Sequence, residues 1–258
     1  MRLLGPLLIV ASLWLFVPTL PTHAQQEERP EPEREEEPKD PREQEERSDE
    51  VAELPIFTPQ ERPAPRARVG AATRGAQTAQ APGIQALVPD RVGLTLEGRP
   101  TLYWYTPERF EGRGRLVLSE LRELEPALEQ ELSGPFAPGV QRLSLAKLGA
   151  ELRPGVTYQW FLTLVPDGED RSQARTIGGG IERIDASPDL RARLAAASAA
   201  RRPFILARDG IWYDALDSLS RRIDASPSDA SSKRQRAALI DQVDLPEVAA
   251  ADRAAAAD

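Results

Sequence analysis

The chain of 258 residues contains no cysteine and a single histidine, His23. Without cysteine no disulfide can staple the fold, even in an oxidising compartment, so stability has to come from a hydrophobic core. His23 lies in an N-terminal stretch expected to be removed, and a chain lacking both His and Cys cannot build the usual zinc, copper or haem sites. Nucleophilic catalysis by histidine-activated serine or cysteine is excluded with them. No cofactor is expected. Aromatics make up only 5% of the chain, against 24 prolines and 17 glycines, so part of its length is not expected to be globular. After the first residues no apolar run is long enough to cross a bilayer, and no transmembrane segment is expected in the mature chain.

What is present divides the chain into six stretches. Residues 1–24 read as a secretory signal peptide: Arg2, the apolar run Leu7–Val17, then Thr22-His23-Ala24 before Gln25. The run is too short for a membrane anchor, so the protein is expected to be exported, to the periplasm or beyond. Residues 25–50 carry 13 acidic and 5 basic side chains among many prolines, and are expected to form a disordered, solvated spacer. The net charge of −8 therefore belongs to that stretch, and the remainder is close to neutral. Residues 51–83 read as a Pro/Ala/Arg-rich linker with Arg62, Arg66, Arg68 and Arg74. Four arginines without interleaved aromatics do not make a nucleic-acid site, and no nucleic-acid partner is expected.

From 84 to 185 the apolar residues alternate. Short strands are expected at Ala86–Val88, Leu94–Leu96, Thr101–Tyr105, Arg115–Leu121, Val140–Leu145 and Arg175–Ile184, with Ala127–Leu132 open between strand and helix. The stretch Leu152–Val165 organises the rest. Leu152, Pro154, Gly155 and Tyr158 have the spacing of a tyrosine corner. Beyond it Tyr158, Trp160, Leu162 and Leu164 share one face. The fold class expected is β plus α: an immunoglobulin/fibronectin-like β-sandwich, with Trp104 and Trp160 as core plugs, followed by a small helical hairpin or three-to-four-helix extension over 186–248.

In that extension Ser187 is placed to cap a first helix with Pro188 at its first position. A second is expected over Ala200–Asp209 with Gly210 as its stop, a third over Ile211–Asp224, and a fourth over Asp229–Val243. Residues 249–258 are expected to fray. Gly210-x-Trp212-x-x-Ala215-x-x-x-Leu219 resembles the second helix of a tetratricopeptide repeat, although Arg202 and Pro203 depart from the partner helix of that pattern.

Four phrases together resemble one bacterial family: Arg68–Gly75, Pro100–Tyr105, the corner strand continuing to Asp170-Arg171-Ser172, and Gly210–Leu216 (Gly-Ile-Trp-Tyr-Asp-Ala-Leu). The family is the one designated domain of unknown function 928. The resemblance implies an exported envelope protein with a β region and a helical tail, and implies no reaction.

Function is expected to be that of a non-catalytic binding or scaffolding module of the cell envelope, with an envelope protein or polysaccharide as partner. Trp212, Tyr213, Tyr103 and Tyr105 are the candidate interaction surface. The alternative is a carboxylate-based hydrolase drawing on Asp167, Glu169, Asp170, Asp209 and Asp214, or a carbohydrate-binding module that stacks sugars on Tyr103 and Tyr105 on a sheet face. Asp167-Gly168-Glu169-Asp170 offers too few ligands for calcium and reads as a turn.

Overall fold

Period-two alternation from residue 85 onward yields eight strands in a computed structural model that describes residues 53–60, 67–70, 83–168 and 171–255. The expected leader, the acidic spacer, and Arg62, Arg66 and Arg74 of the expected linker lie outside those residues. The strands are β1 (Gln85–Ala86), β2 (Gly93–Thr95), β3 (Thr101–Thr106), β4 (Gly112–Glu120), β5 (Pro126–Ser133), β6 (Gly139–Ser144), β7 (Thr157–Pro166) and β8 (Arg175–Arg183). They form two sheets, ordered β1-β3-β6 and β2-β8-β7-β4-β5. Pairing is antiparallel throughout except that β2 runs parallel to β8. The stretch left open, Ala127–Leu132, is part of strand β5, hairpin-paired to β4.

The tyrosine corner is present. The Arg153 N–H donates to the Tyr158 hydroxyl at 3.2 Å, closing the bend that feeds β7. Beyond it Tyr158, Trp160, Leu162 and Leu164 are buried, while the alternate residues are half-buried. Strand β3 behaves differently: all six of its residues are buried. Trp104 meets Phe136 edge-on at 6.3 Å, whereas the opposite face sends the Tyr103 hydroxyl to Asp217 of a helix, 2.7 Å away. The helices cover that second face, so alternation along β3 separates two interiors rather than interior from solvent.

Five α-helices follow: α1 (Pro188–Ala196), α2 (Arg202–Arg208), α3 (Trp212–Ala225), α4 (Ala230–Asp241) and α5 (Pro246–Ala254). The first starts as expected, with Ser187 Oγ accepting from Leu190 N at 3.1 Å. Gly210 ends the turn after α2 at φ +77, and a Cβ there would meet the Thr58 carbonyl at 2.8 Å. No helix among the described residues is long and apolar enough to cross a membrane. Sheets and helices share one hydrophobic cluster, so the β part and the helical part are not separate bodies.

Two expected boundaries change. Within 51–83, the described residues are built into the fold rather than left as linker. Phe57 packs edge-on against Trp212 at 5.0 Å, Gln242 holds Phe57 N and Pro55 O, and Val69 bridges Gly178 of β8. The apolar Phe57 supplies burial that the surrounding Pro and Arg obscured. Likewise 249–258 does not simply fray: α5 runs to Ala254, with Val248 and Ala249 fully buried. Its anchor is a two-point ion pair in which Arg236 Nε and Nη2 donate to Asp252 at 2.9 and 2.6 Å. Asp252 also lies near Tyr105, whose phenol is pushed up by burial and by that carboxylate.

Two substitutions test this packing. Trp160→Ala empties a fully buried ring site and should cost about 3–5 kcal/mol, read as a lower urea midpoint. Asp252→Ala leaves Arg236 without its partner in a site only 11% exposed, and should cost about 3 kcal/mol with loss of helical circular dichroism.

Candidate functional site

The phrase Gly210–Leu216 opens α3, and its residues are almost all interior: Ile211, Trp212, Ala215 and Leu216 are fully buried and Tyr213 is 1% exposed. Successive helical residues point about 100° apart, so three buried neighbours require the turn to be enclosed rather than laid on a surface. Each of the three polar side chains finds backbone in a different stretch of the β part. Trp212 Nε1 donates to Leu87 O at 2.9 Å. The Tyr213 hydroxyl donates to Gly180 O at 3.0 Å and accepts from Trp160 Nε1 at 3.0 Å. The Asp214 carboxylate accepts from Leu96 N at 3.2 Å. Gly93 makes room, because a Cβ there would lie 2.8 Å from the Tyr213 ring.

The four residues expected to offer an interaction surface are therefore inside. Trp212, Tyr213, Tyr103 and Tyr105 are 0, 1, 1 and 8% exposed, and none turns a ring to solvent. An aromatic binding platform on β3 is ruled out by the helices that cover it. The candidate carboxylates are also dispersed. Asp167 is exposed in a turn with Gly168, and Glu169 and Asp170 lie outside the described residues. Asp209 is gripped by Arg193 through two bonds of 2.8 and 2.7 Å.

Asp214 alone of these faces a cleft. It opens between the end of β2, the loop into β3, and helices α1 to α3, with a volume of about 430 Å³. Leu96, Pro100, Leu194 and Leu206 give apolar walls; Glu97, Arg99, Arg202, Asp214, Asp217 and Arg221 supply charge. Most of those charges are already engaged. Arg221 Nε donates to Asp217 Oδ2 at 2.6 Å while Tyr103 holds Oδ1, and Arg99 pairs with Glu151 at 3.0 Å. Burial pushes the Asp214 carboxyl up to about 7, with the nearby Glu97 adding to it and the Thr95 and Leu96 hydrogen bonds opposing. Burial and the Asp217 carboxylate likewise raise the Tyr103 phenol. Asp217, Glu97 and Arg99 went unnoticed in the sequence, and Arg202 stood out there only as a departure from the repeat pattern. Of the first three only Asp217 left a trace there, three residues after Asp214 and so on the same helix face.

What these features define is a β-plus-α protein in which one helix turn locks five helices onto two sheets beside a charged cleft. The chain belongs to the family described as Domain of Unknown Function (DUF928), whose model matches residues 69–253. No curated protein matches it.

Because the folded Asp214 binds its proton more tightly than the unfolded chain, its contribution to stability is complete below about pH 4 and declines as pH rises through about 7. Asp214→Asn keeps an acceptor for Leu96 N and removes that slope. The gap between variant and wild type should widen in the variant's favour from pH 5 to pH 8, by on the order of 3 kcal/mol, in urea melts at each pH. Parallel curves would assign the carboxyl an ordinary affinity for its proton.

Proposed function

We propose that this protein is a non-catalytic binding or scaffolding module of the bacterial cell envelope, exported by residues 1–24. The sheets are read as an immunoglobulin-like sandwich, supported by the Tyr158–Arg153 corner, and the helices as an extension fused to it. One observation carries the functional reading. The polar atoms of the Gly210–Leu216 phrase are all engaged within the protein, in contacts that join helix to sheet. Chemistry needs groups held ready for a substrate, and here the most distinctive residues are held by the fold. The absence of His and Cys from Gln25 onward supports the same view.

A carboxylate hydrolase acting on envelope polysaccharide is the second reading, and the cleft favours it to a degree. Asp214 and Asp217 line one cavity, one with a raised affinity for its proton, which is the pattern of an acid and its partner. Against it, Asp217 has both oxygens committed, to Tyr103 and to Arg221.

Capture from the organism's own envelope extract on immobilised protein distinguishes the two. A stoichiometric protein partner, or retention on wall polysaccharide without cleavage, is the expected result. Release of shorter saccharides that Asp214→Asn abolishes would replace the module by an enzyme.

A further inference from the structure

Among the described residues, two charges in the cleft have no counterpart. Arg202 stands at the start of α2, and Glu97 in the loop between β2 and β3. Both side chains belong to exposed residues that line the cleft, and among the described residues neither meets an opposite charge. The neighbouring charges differ: Arg99 is paired with Glu151 and Arg221 with Asp217. Glu97 and Arg202 are thus an acid and a base that share one cavity without touching each other. The same cavity carries the apolar walls contributed by Leu96, Pro100, Leu194 and Leu206.

An unpaired cation and an unpaired anion in one cleft with apolar walls are complementary to a molecule carrying both charges at once. A guanidinium takes a carboxylate through two parallel hydrogen bonds. A carboxylate takes an ammonium in the same charge-assisted manner, and a cavity of this volume is in the range of small-molecule sites. We propose that the cleft binds a small zwitterion of the amino-acid type, Arg202 receiving its carboxylate and Glu97 its ammonium. The ligand's carbon skeleton lies along the leucine and proline wall. Asp214, at the start of α3, holds the Glu97 loop in place through Leu96 N and so positions one of the two charges.

This inference is independent of the envelope-partner reading, since a protein can take up such a ligand with or without a macromolecular partner. Isothermal titration of the purified protein tests it, using alanine, β-alanine, 4-aminobutyrate and alanyl-alanine to vary the spacing between the charges. Acetate and ethylamine supply each charge alone, and D-glucuronate a carboxylate with hydroxyls. At least one zwitterion should bind saturably, and the single-charge probes should not. Arg202→Ala and Glu97→Gln should each weaken that binding about tenfold. Both residues are exposed, so the variants should keep the wild-type melting temperature. The proposal is overturned if no zwitterion binds, if acetate binds as tightly, if D-glucuronate alone binds, or if either variant leaves affinity unchanged. The double variant should still retain the envelope partner in the capture experiment, which keeps failure of one reading separate from failure of the other.

Discussion

The hydrogen bonds from the first turn of α3 into the β part are the constraint on which the remaining structure depends. Trp212, Tyr213 and Asp214 are consecutive, yet they reach Leu87, Gly180 and Leu96, three stretches of chain far apart in sequence. A helix on a sheet normally buries one stripe. Here three successive residues, Ile211, Trp212 and Tyr213, are all buried, and each polar group the turn takes inside must find a partner there, because an unpaired buried donor costs about 1–3 kcal/mol. The Tyr213 hydroxyl meets this demand in both directions, accepting from Trp160 and donating to Gly180. The indole that fills the core between the sheets and the helix that closes its end are therefore satisfied by one oxygen.

This arrangement sets the neighbouring residues. The small side of β8, Gly178 to Gly180, lies opposite Phe161, Trp160 and Gln159, and a Cβ on Gly179 would meet Val88 at 2.7 Å. Gly93 must lack a side chain for the Tyr213 ring to pass. On the outer side Phe57 covers Trp212, which explains why a proline-rich stretch so far upstream is drawn into the fold. The covering segment is itself fixed by the helices, with Thr58 N donating to Ala207 O at 3.1 Å.

Much of the β part was legible in the sequence because its signals are local. Tyr158 sits at a fixed distance from a proline-glycine bend, β7 alternates without interruption, and Pro or Gly brackets most strands. Ser187 and Gly210 marked helix ends for equally local reasons. Tyr213 and Tyr103 were misread for a common cause. Each stands off the stripe or face that periodicity assigns to the core, and periodicity assumes that only one side of an element is covered. Strand β3 lies between a sheet and the helices, and the first turn of α3 is enclosed, so the rule fails at both. The α5 anchor was invisible because Arg236 and Asp252 look like solvated charges on alanine-rich helices until folding brings them together. The cleft had no sequence signature either, since Glu97, Arg202 and Asp214 come from separate segments.

The separation between the aromatic phrase and what can bind a ligand has a physical basis. A residue whose polar atoms are all satisfied inside the protein has none to offer a ligand, and the Gly210–Leu216 phrase is made of such residues. Asp214 also reaches the cleft, where burial raises the affinity of its carboxyl for a proton while both oxygens accept from Leu96 N. Its use is to fix the strand end from which Glu97 projects. Recognition therefore has to be sought in residues that stability does not require: those at the cleft rim whose charges are unmatched, rather than the aromatic phrase that draws the eye in the sequence. In this fold the motif holds helix to sheet behind the cleft, and the unpaired ions decide what fits in it.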